Sequence, residues 1–308
     1  MKNVSSPTNM ENRSGGDMKK LLKNIIDWLM NLVIAVSAMI CLWLLLQVFV
    51  FSSFRIPSDS MEPELQAGDC VLVNKMLVGA RLFNIFKSVN GEQVTIHRMP
   101  GFSTIQRNDV LVFNFPHPKR WSRIEMDVMK YFVKRCMALP GDTFRIIDGK
   151  YSVNNISTPL GNVMEESMIG RQPDSTFDKA VYLCFPYDSI LQWNIKRFGP
   201  LYIPKAGRMI DMNQKNFILY RKLIAWEQHA AVTYKDSTVF VGKQSITHYR
   251  FLKNYYFMAG DNCANSQDSR YWGMLPEEYI VGKAVIVWKS VDPYSGKFLW
   301  HRFLKKIR

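Results

Sequence analysis

Residues 131–147 read YFVKRCMALPGDTFRII, two apolar stretches parted by a Leu-Pro-Gly-Asp turn signal. Their β-branched and aromatic content predicts two short strands, 131–139 and 143–147, because such side chains fit a half-buried pleat and Pro-Gly interrupts one. Alternation sets Lys134 beside Phe132, Cys136 and Ala138 on one face, and Val133, Arg135 and Met137 on the other. With one face of the strand buried, either Lys134 or Arg135 is directed inward. An inward lysine loses solvation of its cation, so its pKa falls from about 10.4 and it becomes a usable general base. A lysine guarding a sheet edge is the plainer alternative.

The same texture continues on both sides of this stretch, in CVLVNK (70–75), DVLVFNF (109–115), NFILY (216–220), STVFV (237–241), YYFMA (255–259) and YIVGKAVIVW (279–288). Asp148-Gly149, between TFRII and KYSV, signals a hairpin. The pattern predicts a mainly β fold. Residues 150–252 have more scattered turns, with Trp193 and Trp226 among long polar stretches. They are expected to form an inserted second lobe, which splits the β region into 53–149 and 253–296.

Only one long helix is expected, and it lies before the β region. Trp28 to Phe51 carry no formal charge, and at 1.5 Å per residue they span roughly 36 Å, enough for a bilayer core of about 30 Å. A cleaved signal peptide would have a shorter apolar run ending in small residues, whereas this one ends in FVFFSSFR. Residues 25–52 are therefore expected to be a permanent anchor. Lys19, Lys20 and Lys23 precede it and Arg55 alone follows closely. The positive-inside rule puts residues 1–24, the first 17 of them a flexible tail, in the cytoplasm and residues 55–308 outside.

The net charge of +14 would suit an anionic partner. Residues 1–23 hold +3 of it and residues 297–308 hold +5, and an external β region argues against nucleic acid. The basic C-terminal tail, KFLWHRFLKKIR, reads equally as an interfacial lipid contact or a closing strand with a solvated end. The five cysteines, Cys41, Cys70, Cys136, Cys184 and Cys263, lack zinc-site spacing. No metal centre is predicted, and the thiols are expected to be mostly buried.

Two further segments could carry chemistry. PSDSMEPEL (57–65) holds Ser58 and Ser60 between prolines, where a hydroxyl can be fixed in place, or can simply cap a turn. GDNCANSQDSRYWGMLP (260–276) brings Asp261, Asp268 and Arg270 close enough in sequence for a buttressing ion network, with Ser266 beside them. Together with the VKR strand these segments occur in one order: PSDSMEPEL, VKR…LPGD, then GDN..NS.DSR.WG. The chain resembles the type I signal peptidases, membrane-anchored serine proteases with a Ser-Lys dyad. GDCVLVNK (68–75), RNDVLVF (107–113) and VGKAVIVW (281–288) add to the match, which covers residues 25–148 and 250–290 well and the insert poorly.

The resemblance implies a signal-peptidase-like β catalytic region, no cofactor, and signal-peptide-bearing preproteins and the lipid bilayer as partners, in the bacterial cytoplasmic membrane. It implies Ser60 as nucleophile and Lys134 as general base. Ser58 and the Ser60 N–H correspond to the oxyanion hole. Ser266 corresponds to the hydroxyl that orients the lysine, and Asp268 and Arg270 to its supporting pair. Ile56, Pro57, Met61, Leu65, Phe132 and Val133 match positions lining shallow substrate pockets. Glu64, Asn108 and Cys263-Ala264 depart from the usual Thr, Gly and Arg-Asp. A penicillin-recognising acyltransferase also pairs Ser with Lys, but needs SxxK, and Met61-Glu62-Pro63 follows Ser60. A non-enzymatic anchored protein would have no reason to keep both Ser60 and Lys134.

Overall fold

The computed structural model describes residues 8–90, 94–154 and 159–308, and the chain divides into two units after Val50. The first unit is helix α1, Thr8–Phe49. Its segment Lys20–Phe49 is long and apolar enough to cross a membrane. The helix begins well inside the stretch expected to be a flexible tail. Residues 1–7 of that tail lie outside the described residues. At the other end the helix stops short of the expected anchor boundary, because Phe51 and Ser52 already belong to a strand.

In the second unit, the elements that place the site are, in chain order, β1 (Phe51–Arg55), β2 (Asp69–Asn74), β3 (Val110–Asn114), β4 (Tyr131–Ala138), β5 (Thr143–Ile147), β6 (Lys150–Val153), α2 (Val163–Arg171), β7 (Arg197–Tyr202), α3 (Gln214–Gln228), β8 (Tyr255–Ala259), α4 (Ser269–Trp272), β9 (Leu275–Pro276), β10 (Ile280–Ser290) and β11 (Lys305–Lys306). The main sheet is antiparallel, with order β1-β2-β10-β3-β4-β8-β9 and β11 added to β10. The eleven residues of β10 pair with β2 along one part and β3 along another, through bulges, so the end of the chain joins its early strands. Asp148 and Gly149, both at positive φ, make the predicted hairpin turn between β5 and β6.

Strand β3 shows why the fold differs from a half-buried sheet. Val110 and Val112 enter a small core with Ile56, Met61, Leu65, Val71, Val73 and Val287, while Leu111 and Phe113 enter a much larger core on the opposite face. Both faces are covered. The expectation that only one of Lys134 and Arg135 turns inward therefore fails: they are 4% and 8% exposed. Register sets Lys134 opposite Leu111 on the large-core side and Arg135 opposite Val110 on the small-core side.

The inserted segment shares a core with the β region: Phe198, Leu219, Leu223 and Phe251 lie in the large core with Phe113, Met137, Phe144 and Phe257, and the Phe198 and Phe257 rings are 5.5 Å apart. NFILY, expected as a strand, lies in α3, a second long helix. Asn213 caps it by accepting from Asn216 N–H at 2.9 Å, and Ile218, Leu219, Tyr220, Leu223 and Ile224 are its buried side chains. A five-residue apolar run has no period of its own; the 3.6-residue repeat appears only when Leu223 and Ile224 are read with it.

The C-terminal residues are built into the fold. Lys305–Lys306 form β11, Ile307 joins the small core, and Arg302 is buried in a two-pronged ion pair with Asp69, Nε to Oδ1 at 2.8 Å and Nη2 to Oδ2 at 2.5 Å. All five cysteines are free thiols, with Cys136, Cys184 and Cys263 buried.

Candidate active site

Ser60 is presented by a single pinned turn. Leu65 N–H donates to the Met61 carbonyl at 2.9 Å, and the side chains of these two residues are 0% and 1% exposed in the small core. With Met61 and Leu65 held inside, Ser60 is left half-buried at the rim. The turn Cys263–Asn265 clamps it from the other side. Asn262 N–H donates to the Ser60 carbonyl at 3.2 Å, and Asn265 Nδ2 donates to Asp59 Oδ2 at 2.9 Å. Both asparagines belong to the GDN..NS motif that carried the resemblance, with no role of their own assigned there; the fold shows that this loop lies against residue 60.

Lys134 Nζ donates to Ser60 Oγ. Burial lowers the Lys134 pKa from 10.5 to about 8, and Arg270 pushes the same way, against the opposing charges of Asp268, Asp261 and Asp59. The pair is suited to acid–base work, since an amine whose lowered pKa lets it lose its proton far more readily than a free lysine lies beside the hydroxyl. Ser58 Oγ lies 3.4 Å from Ser60 Oγ on the exposed side.

Asp268 and Arg270 pair as expected and both are wholly buried. Burial alone would raise the Asp268 pKa, but the charge and hydrogen bonds of Arg270, with the Gly260 N–H at 3.0 Å, hold it below the usual carboxylate range. Asp261 does not join them. It takes Arg135 instead, Nε to Oδ1 at 2.7 Å and Nη2 to Oδ2 at 2.6 Å, because β8 runs beside β4 and Asp261 stands just past its end. Ser266 is buried nearby, and its Oγ makes no hydrogen bond to Lys134.

This arrangement of serine, buried lysine and Asp-Arg pair can be set beside known proteins. The family described as signal peptidase, peptidase S26, matches residues 25–289. The chain belongs to that family. It is accordingly a serine endopeptidase that acts on signal peptides. Signal peptidase I of Pseudomonas fluorescens is 30% identical over 257 residues, covering 80% of this chain and 68% of the relative. That of Aquifex aeolicus is 26% identical, covering 82% and 80%. The crystal structure of a signal peptidase I from Enterococcus faecalis covers 59% of this chain and 97% of that one, at 18% identity and a TM-score of 0.28.

Departures from the usual signal peptidase motifs have local accounts. Asn108 takes φ 71°, a conformation that Asn tolerates, and its side chain ties Pro159 and Gly161 to the sheet at 3.0 and 2.9 Å. Glu64 anchors the C-terminal residues: its carbonyl accepts from Arg302 Nη2 and Lys305 Nζ, both at 2.9 Å, and its carboxylate accepts from Arg308 N–H at 3.1 Å.

The six apolar residues matched to substrate pockets are split by the fold. Ile56, Met61 and Leu65 belong to the core and have almost no accessible surface, while Pro57 is exposed and Phe132 and Val133 are half-buried. Gly260, which was not singled out, is the tightest point beside the site. A Cβ there would lie 2.4 Å from the Ser60 carbonyl and 2.2 Å from Ser266 Oγ. Gly260→Ala must therefore displace the Ser60 backbone, and a displacement near 1 Å is expected to cost about 100-fold in kcat. Steady-state kinetics on folded variant, checked by thermal melting, measure this; a wild-type kcat would show that the backbone relaxes elsewhere.

Proposed function

We propose that the protein is a membrane-anchored signal peptidase that cuts exported preproteins through a Ser60–Lys134 dyad. The hydrogen bond from a buried Lys134, with its pKa lowered to about 8, to Ser60 Oγ carries this reading. Neutral Lys134 accepts the Ser60 proton as Oγ attacks the carbonyl carbon of the scissile bond. The oxyanion is held by Ser58 Oγ and the Ser60 N–H. The carbon–nitrogen bond then breaks, the Lys134 ammonium returns its proton to the leaving amine, and an ester to Ser60 remains. Water, losing a proton to Lys134, attacks that ester; the acyl–Oγ bond breaks, Lys134 returns the proton to Ser60 Oγ, and the signal peptide leaves with a new carboxyl end. Asp268 and Arg270 support the lysine from behind, with Ser266 packed between them and Gly260. No step in this sequence calls on a cofactor.

Lys20–Phe49 serves as the anchor in this reading, with the N-terminus in the bacterial cytoplasm and the catalytic region on the external face. Few residues separate Phe49 from Ser60 in the chain, which suits a substrate cut where it leaves the bilayer. Pro57, Phe132 and Val133 would contact the substrate, backed from the core by Ile56, Met61 and Leu65. Successive side chains of an extended peptide point to opposite sides. Shallow apolar pockets then favour Ala at the first and third positions before the cut. Lys or Asp there would lose solvation without a partner, at several kcal/mol, and Phe would clash.

The test is cleavage by the full chain in detergent of a preprotein series varied at those two positions, with product ends read by mass spectrometry. One cut after Ala, and strong rejection of Lys, Asp and Phe, is expected. Equal rates across the series would remove the pocket assignment, and no cut at the signal peptide boundary would remove the function.

A further inference from the structure

Behind the dyad, two buried groups have unused hydrogen-bonding capacity of opposite kind. Arg270 is 0% exposed and spends Nε and Nη2 on Asp268, at 2.8 and 2.7 Å, leaving Nη1 without a partner. Glu166, on α2 of the inserted segment, is 2% exposed; its Oε2 accepts Tyr151 N–H at 2.9 Å, and its Oε1 has no partner. A donor and an acceptor are thus left open on two buried groups, and the Arg270 charge acts on Glu166. Buried groups of this kind are ordinarily satisfied, often by an internal water with two to four bonds.

The surroundings connect Glu166 to the nucleophile. Helix α2 packs on the turn Cys263–Asn265, which clamps Asp59 and Ser60 through Asn262 and Asn265. Tyr151, held by Glu166, reaches Cys263 Sγ with its hydroxyl at 3.6 Å. Asp268, held by Arg270, accepts from Gly260, against which Ser60 and Ser266 pack.

We propose that Glu166 is a positioning residue for the dyad, closing the open edge of Arg270 through one shared water and so tying the inserted segment to the Asp268–Gly260–Ser60 contacts. The inference rests on the Ser-Lys reading above. The ionisable groups facing Glu166 are Arg270 from α4, Asp261 from the loop after β8, Lys150 and Tyr151 from β6, and Cys263 from the adjoining turn. Burial pushes the Glu166 carboxyl up to about 7, so it is largely ionised where Lys134 loses its proton. A carboxylate behind the dyad favours an ammonium over an amine, so removing the Glu166 charge is expected to lower the Lys134 pKa.

Glu166→Leu and Glu166→Gln, as full chains in detergent, separate the two effects. Glu166→Leu should lower kcat roughly tenfold with KM within about twofold. Glu166→Gln, which keeps one acceptor oxygen for Tyr151 N–H and turns an amide N–H toward the shared water, should recover part of that loss, and in both variants the acid limb of the rate should move to lower pH. A buried group that merely stabilised the fold would lower activity with the folded fraction and leave the limb in place. Wild-type kcat and limb in both variants, or losses that only track the folded fraction, would overturn the proposal. If wild type cleaves no preprotein, the function proposed above fails on its own. The Glu166 effect is then read from the pH dependence of Lys134 modification by an amine reagent: a shift supports it, and no shift overturns it.

Discussion

Lys134→Ala and Ser60→Ala are each expected to lower preprotein cleavage on the order of 10⁴-fold or more, the scale on which removing a nucleophile or its base acts in a serine protease. Each substitution removes one end of the hydrogen bond between Nζ and Oγ. In the proposed mechanism, losing Lys134 leaves nothing to take the proton as the hydroxyl attacks, and losing Ser60 leaves no ester to form. The pH dependence is the sharper measurement. A base works when unprotonated, so the rate rises with pH as Lys134 loses its proton, and the limb should centre near the lowered value of about 8 rather than 10.5. Lys134→Arg should stay inactive because guanidinium remains protonated throughout. Active Lys134→Arg enzyme, or a limb that persists at Lys134→Ala, would assign the base elsewhere.

Arg302→Met is expected to destabilise the second unit by about 3–5 kcal/mol, because it leaves Asp69 buried and charged without its partner. Asp69 is 0% exposed and Arg302 is 6% exposed. Their pairing fastens the last residues over the turn that carries Ser60, through Arg302 Nη2 to the Glu64 carbonyl at 2.9 Å. A fall of about 10 °C in melting temperature corresponds to such a loss. The double variant Asp69→Leu/Arg302→Met should regain part of the stability, since a buried pair replaced on both sides leaves no stranded charge. Equal melting temperatures for wild type and Arg302→Met would mean that the pair is solvated in solution and that the C-terminal residues are peripheral.

Sequence patterning alone settled the apolar helix, the strands at 143–147 and 255–259, the strand read as 131–139 that ends at Ala138, and the Asp148-Gly149 turn, because each depends on local periodicity, β-branched content or allowed φ. The segments proposed to carry chemistry were picked out by their order and their resemblance to a family, since Ser60, Lys134 and the Asp268-Arg270 pair lie in short ordered motifs. Tertiary structure decided the rest. Whether Lys134 or Arg135 is buried depended on how many faces of the sheet are covered, and two cores bury both. Asp261 went to Arg135 rather than Arg270 because strands far apart in sequence lie side by side. NFILY lies in a helix whose repeat shows only once Leu223 and Ile224 are read with it, and the inserted residues pack into the same large core as Phe113 and Met137. The basic C-terminal residues became part of the core through Asp69, whose distance from Arg302 along the chain hides their pairing. Local pattern is a property of neighbouring residues, whereas burial and ion pairing belong to surfaces that exist only once the sheet has closed.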